Sequence, residues 1–162
     1  MVKTPDGGQL ALDWANVNAK NNLVILVLPG LTGCSKDNYI THFVDKAIKN
    51  DCKAVVMNYR GIECDLLTPR TYSATNLEDL HLVVERIKER FPKDKLFVIG
   101  ISLGGLKLGQ YLAKQYDNCS ISYAMIISAP FNVTHSAKEL EKSTNLFFNK
   151  FLAMNISRFL VK

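Results

Sequence analysis

The chain has 162 residues, 48% hydrophobic and 22% charged, which is the size and composition of one globular domain with an adequate core. Twenty Lys and Arg against fifteen Asp and Glu give a formal net charge of +5. The basic residues are scattered rather than clustered, which argues against nucleic acid as a partner and leaves a possible membrane surface open.

Pro5-Asp6-Gly7-Gly8 reads as a turn, and Gln9–Val17 alternates apolar and polar residues like a half-buried strand. Leu23–Leu28 is a continuous apolar run stopped by Pro29-Gly30, as in a fully buried parallel strand. Ile40, Phe43, Val44, Ala47 and Ile48 recur at helical spacing. Lys53–Tyr59 predicts the next strand, and Glu63–Tyr72 a loop. Thr75-Asn76-Leu77-Glu78 fits a capping box for a helix whose stripe is Leu77, Leu80, Val84, Ile87 and Phe91 and which Pro92 ends. Lys95–Ile99 predicts a strand, followed by a helix to about Asn118. Ser120–Ala129 predicts a further strand, and Ser136-Ala137-Lys138-Glu139 a second capping box opening a helix toward the C-terminus. The alternation implies an α/β fold with a mostly parallel sheet flanked by helices. Ligands then sit at the carboxyl ends of the strands, where Pro29–Lys36, Arg60–Tyr72, the turn at Ser102 and Pro130–Ser136 are expected to gather.

No apolar stretch approaches the roughly 18 residues of a membrane span. Met1-Val2-Lys3-Thr4-Pro5 lacks the pattern of a signal peptide. Cys34, Cys52, Cys64 and Cys119 form no C-x-x-C pair, so reduced thiols are the default expectation. His42, His81 and His135 show no metal-ligand spacing.

Gly100-Ile101-Ser102-Leu103-Gly104 is Gly-x-Ser-x-Gly between a strand and a helix, the pattern of a nucleophile elbow. A serine hydroxyl is a weak nucleophile and must be held exposed beside a base and an oxyanion site. The tight turn lifts Ser102 above the sheet, and its crowding requires nearly side-chain-free positions at Gly100 and Gly104. The Leu103 N–H, next after the serine at a helix N-terminus, would be one oxyanion donor. A chance Gly/Ser turn is the plain alternative. A tetrahedral intermediate needs a second donor. Pro29-Gly30-Leu31-Thr32-Gly33 can turn amides inward, and the Leu31 N–H is the candidate; an ordinary strand-ending Pro-Gly turn is the alternative.

With these motifs the chain resembles the AB hydrolase 4 family of α/β-hydrolases, the group holding abhydrolase domain-containing proteins one and three and bacterial esterase relatives. The segments that carry the resemblance are Asp6-Gly7-Gly8 with Leu12-Asp13-Trp14, Leu28–Gly33 with Ser35-Lys36, and Asn58-Tyr59-Arg60-Gly61. Leu66–Tyr72, Gly100–Gly105, and Pro130-Phe131-Asn132 with Leu140-Glu141 add to it. The resemblance implies serine-ester hydrolysis of acylglycerols, phospholipids or short-chain esters; no cofactor and no metal are expected. It also implies a membrane-anchored or membrane-associated protein.

The resemblance carries Ser102 over as nucleophile. It places the acid and base after two strands that this sequence does not supply, so the expected fold is a partial α/β-hydrolase with its last two strands absent. On that reading residues 1–135 are an incomplete core, 136–162 begin a cap, and the chain looks like the middle of a larger enzyme. Within the chain, Ser128–Ser136 offers no Asp or Glu, and Asp117 lies about 20 Å down the helix from Ser102. Asp37 and Asp65 lie on the expected edge without a histidine nearby in sequence. His135 is the one candidate base; a loop or cap histidine is its plain alternative. His42 and His81 read as surface or interface residues.

The tail is apolar at Leu146-Phe147-Phe148, Phe151-Leu152, Met154, Ile156 and Phe159-Leu160-Val161, interleaved with Lys150, Arg158 and Lys162. It reads as an interfacial membrane-facing helix or as a cap helix over an acyl pocket. Two functions compete: an esterase or phospholipase acting on a lipid or small ester, and a non-catalytic hydrolase-fold remnant serving as a binding module.

Overall fold

The computed structural model describes residues 1–160, with Tyr116 and residues 158–160 as backbone alone. The chain divides into two compact units, Met1–Ala129 and Pro130–Lys162.

The first unit holds a six-stranded sheet in the order β1-β2-β4-β3-β5-β6. Its strands are β1 (Val2–Lys3), β2 (Gln9–Ala15), β3 (Leu23–Leu28), β4 (Lys53–Asn58), β5 (Lys95–Ile101) and β6 (Tyr123–Ile127). β3 pairs in parallel with β4 and β5, and β5 with β6. β2 runs antiparallel to β4, and β1 to β2. The short β1 has no counterpart among the sequence expectations. It forms because the turn at Gly7, which takes φ 81°, folds Val2 back opposite Leu10.

Three helices serve this unit: α1 (Asn38–Lys49), α2 (Glu78–Arg90) and α3 (Leu103–Gln115). The uninterrupted Val/Leu/Ile run of β3 suits a strand covered on both faces. Leu26, Val27 and Leu28 are fully buried. Ile40 of α1 packs on Val27 and Val56, with Phe43 and Val44 alongside. Each such side chain contributes roughly 1.5–3 kcal/mol by leaving water. On α2 the buried residues are Asp79, Leu80, Val83, Val84 and Ile87; Leu80, Val84 and Ile87 of the expected stripe are among them, while Leu77 and Phe91 flank the helix half-buried.

The capping box at Thr75 does not form. α2 begins at Glu78, which makes that residue the first of the helix rather than the third. The Asn76 side chain takes the Glu78 N–H at 3.0 Å, and the Glu78 carboxylate is drawn to Arg70 at 2.9 Å. The carboxylate that the capping box would use is engaged by Arg70 instead.

β3 is the switch point of the sheet. The chain leaves it through α1 to one neighbour, β4, and returns through α2 to the other, β5. The crevice beyond the carboxyl ends of β3 and β5 is where such sheets bind ligands. The loops at Pro29 and Ser102 follow these two adjacent strands.

The second unit is α4 (Val133–Glu141), a 3₁₀ turn (Ser143–Asn145) and α5 (Leu146–Leu160). The expected capping box at Ser136 is also absent. α4 starts earlier, because Asn132 caps it by accepting the His135 N–H at 2.9 Å. Ser136 and Glu139 therefore lie inside the helix, and Glu139 accepts from Lys142 at 2.6 Å. α5 exposes Leu146, Phe147, Phe148, Phe151 and Met154. Val161 and Lys162 lie outside the described residues, as do the side chains of Arg158, Phe159 and Leu160. No helix among the described residues is long and apolar enough to cross a membrane.

Candidate functional site

Ser102 occupies the one residue between β5 and α3, with φ 52°. That left-handed conformation costs a non-glycine residue roughly 1–2 kcal/mol and persists only where the surroundings impose it. Here they do. The Ser102 N–H donates to Ile127 O of β6 at 2.8 Å, and its carbonyl accepts the Leu106 N–H at 3.0 Å.

The flanking glycines are demanded by contact. A β-carbon on Gly100 would stand 2.5 Å from Gly104 O, and one on Gly104 would stand 2.7 Å from both Leu28 C and Pro29 O. Real β-carbons essentially never approach within 3.0 Å. Gly104 thus lets the start of α3 sit directly on the end of β3. Ser102 is half-buried, and a β-carbon on Gly30 would lie 3.5 Å from the Ser102 β-carbon. The Pro29–Gly33 loop and the serine turn are therefore neighbours, as the sheet order requires.

Leu103 is the first residue of α3, and its N–H is one of the donors a helix leaves without an internal partner. Leu31 is exposed, and its N–H has no partner among the described residues. Thr32, next to it, takes φ 58°. Three tyrosines meet this loop. Tyr59 donates its hydroxyl to Pro29 O at 2.9 Å, Tyr39 accepts the Gly30 N–H at 3.2 Å, and Tyr72 accepts the Thr32 N–H at 3.1 Å. Tyr59 and Tyr72 stack with ring centroids 4.9 Å apart. Burial raises the pKa of all three, so each is a neutral phenol at ordinary pH.

The end of β4 and the residues after it carry a polar cluster. Asn58 is fully buried; it donates to Asp13 at 2.8 Å and accepts the Ser35 N–H at 2.9 Å. Arg60, 2% exposed, grips Asp79 with two bonds of 2.8 and 2.7 Å and reaches Asp6 at 2.7 Å. These hydrogen bonds hold the Arg60 guanidinium and the Asp6 carboxylate firmly in their charged forms. The cluster ties β1–β2, β4 and α2 together. A cavity of about 560 Å³ opens beside it, against Arg70, His81, Leu82 and Glu85.

Lys107 of α3 is 2% exposed and donates to Ser73 O at 2.7 Å and to Asn76 O. Its ammonium lies 5.8 Å from the centre of the Tyr59 ring. Burial brings its pKa down to about 8. Lys107, Tyr39, Tyr59 and Tyr72 are functional candidates only in the folded structure. Only Lys107 carried a local signal: it sits three residues after Gly104 and four before Tyr111, on the stripe that α3 buries.

The histidines are dispersed. His42 is exposed on α1, and His81 of α2 shares a hydrogen bond of 3.1 Å with the Tyr111 hydroxyl. Neither bonds Ser102 among the described residues. His135 belongs to the second unit, with a side chain 68% exposed and 3.9 Å from Glu139. The four cysteines are free thiols. No group of three or more His, Cys, Asp or Glu among the described residues could hold a metal ion.

Comparison with known proteins agrees with this architecture. The chain is 37% identical over 161 residues to the human phospholipase ABHD3, across 94% of this chain and 39% of that protein. It is 33% identical over 174 residues to the embryogenesis-associated protein EMB8 of Picea glauca, across 99% of this chain and 38% of that one. It is 30% identical over 139 residues to a monoacylglycerol lipase of Saccharomyces cerevisiae, across 83% and 31%. The chain thus spans about two fifths or less of the length of these relatives. Among solved structures, an esterase of Pyrococcus furiosus superposes with a TM-score of 0.72 at 19% identity, over 97% of this chain and 59% of that one. An α/β serine hydrolase homologue from Coxiella burnetii gives 0.68 at 16%, over 84% and 64%. Residues 19–161 match the family described as serine aminopeptidase, S33 (Hydrolase_4), and the chain belongs to that family of α/β-hydrolases, of which it carries a partial fold.

Proposed function

We propose that this chain carries the nucleophile and oxyanion site of a serine carboxylic-ester hydrolase acting on lipid or short-chain esters. The observation that carries the reading is Ser102 held at φ 52° between β5 and α3, beside the Pro29–Gly33 loop. Ser102 is the nucleophile, and Gly100 and Gly104 are the residues whose lack of a side chain makes its turn possible.

The Ser102 hydroxyl adds to the ester carbonyl while its proton passes to a histidine. The carbonyl oxygen becomes an oxyanion, held by the N–H groups of Leu31 and Leu103. Collapse expels the alcohol, which takes the proton back, and leaves an acyl-enzyme at Ser102. Water, deprotonated by the same base, then releases the acid. This chemistry needs no cofactor. His135 is the candidate base that this chain offers; the family resemblance instead places base and acid further along than β6. Names of relatives, a phospholipase and a monoacylglycerol lipase, support a lipid or small ester as substrate. The exposed apolar residues of α5 suit either a membrane surface or the wall of an acyl pocket, with residues 136–162 as the start of a cap.

A fluorophosphonate probe tests the reading, because its attack requires an activated serine. The expected result is one adduct, on Ser102, in the protein that carries this chain, and none in Ser102→Ala. An adduct on another serine, or none on a folded protein, overturns the assignment and favours the remnant with no catalytic role.

A further inference from the structure

From Gly30 to Ser35, each backbone N–H but one has a partner among the described residues. Gly30 donates to Tyr39, Thr32 to Tyr72, Gly33 to Gly30 O at 3.1 Å, Cys34 to Asp37 at 3.0 Å, and Ser35 to Asn58. The exception is Leu31. The bonds to Tyr39 and Tyr72 fall on the residues immediately before and after it, so the planes of both flanking peptides are fixed. Thr32 is β-branched and sits at φ 58°, a conformation such residues avoid unless it is imposed.

We propose that Tyr39 and Tyr72 are positioning residues that present the Leu31 N–H as an oxyanion donor by holding the amides on either side of it. The proposal rests on the hydrolase reading above. Left unheld, the loop could satisfy Leu31 by turning its N–H to water, and Thr32 could relax to negative φ. Either motion rotates the donor away. The two phenols act as acceptors of backbone N–H groups through the hydroxyl oxygen.

Burial supports the assignment. Tyr72 stacks on fully buried Tyr59, whose own hydroxyl holds Pro29 O. Directly after Tyr72, the backbone at Ser73, Ala74 and Asn76 is fastened to α3 by Lys107 and Gln110. The helix that follows Ser102 therefore also anchors the loop that carries Tyr72. The two halves of the oxyanion site share one support.

The test compares Tyr39→Phe and Tyr72→Phe with wild type and Ser102→Ala in the protein that carries this chain. Phenylalanine keeps the ring and removes the hydroxyl, which at Tyr39 also ends its hydrogen bond to the Asp37 carboxylate. With p-nitrophenyl butyrate, each variant is expected to lose about tenfold to a hundredfold in kcat with KM within about twofold. The inhibition constant of an aryl trifluoromethyl ketone, whose adduct carries the oxyanion, is expected to rise in parallel. Amide exchange at Thr32 in Tyr72→Phe is expected to quicken at least about tenfold. Unchanged kcat and ketone affinity in both variants, with turnover abolished by Ser102→Ala, overturns the proposal and leaves the hydrolase reading intact. Turnover retained by Ser102→Ala overturns Ser102 as the nucleophile, and with it the proposed site. A loss tracked by an equal rise in KM, or Thr32 exchange unchanged, makes the tyrosines merely structural.

Discussion

The serine turn and the segment that carries His135 are built in opposite ways. Ser102 stands on a floor of fully buried side chains, with neighbouring backbones too close for a β-carbon at Gly100 or Gly104. α4, which carries His135, buries none of its residues, and α5 leaves Phe147 75% exposed. One region is over-determined and tolerates strain. The other is held by local bonds and presents apolar surface of the kind that marks an interaction site. The contrast makes four substitutions informative about the proposed site.

The largest effect is expected from Ser102→Ala. With Ser102 as the proposed nucleophile, kcat on p-nitrophenyl butyrate is expected to fall by about three orders of magnitude or more. Retention of more than about a tenth of the wild-type rate would break the contrast at its centre.

Gly104→Val tests whether the turn is crowded. The new side chain must displace the Leu28–Pro29 backbone, at a cost of at least about 1–3 kcal/mol in denaturant unfolding, with a loss of activity. Unchanged stability together with unchanged activity would show the turn to be loose.

Lys107→Met probes the support beneath it. The folded-state pKa of about 8 lies below the ordinary lysine value of 10.5, so burial of the charge opposes folding at neutral pH. Between pH 8 and 10.5 the unfolded chain holds more protons than the native one, and stability rises with pH. The wild type is expected to gain on the order of 1–3 kcal/mol relative to Lys107→Met across that window. Comparing the two proteins cancels the tyrosines, whose raised pKa values act in the opposite direction above pH 10. Parallel curves would mean that Lys107 is solvated.

His135→Ala is expected to do least: a change within about 0.5 kcal/mol in stability, as for an exposed residue, and within about twofold in kcat. A loss of turnover comparable with that of Ser102→Ala would reverse the contrast. It would make His135 the general base.

The serine turn was legible because its determinants are local. Leu96–Ile99, Gly100, Ser102 and Gly104 lie within nine residues, and a short continuous apolar run changing to a helical stripe marks the turn between them. The parallel sheet followed from the alternation of such runs. The β-strand read as Ser120–Ala129 contracts to Tyr123–Ile127, where its pairing with β5 ends. The single helix expected after Ser136 becomes two, broken at Lys142–Asn145. Both capping boxes failed for one reason: a better partner existed outside the four-residue window, Arg70 for Glu78 and Asn132 for the start of α4.

The amino-acid sequence by itself determined which residue stands in the strand–turn–helix corner and which glycines must flank it, since steric crowding across a tight turn acts between neighbours. Only the tertiary structure decided what faces that corner. Tyr39, Tyr59 and Tyr72 belong to a helix, the end of a strand and a loop, up to forty residues from the amides and carbonyl they hold. Hydrogen bonds of that kind leave no periodicity in the chain, because each depends on strand order and on how closely α3 can approach β3.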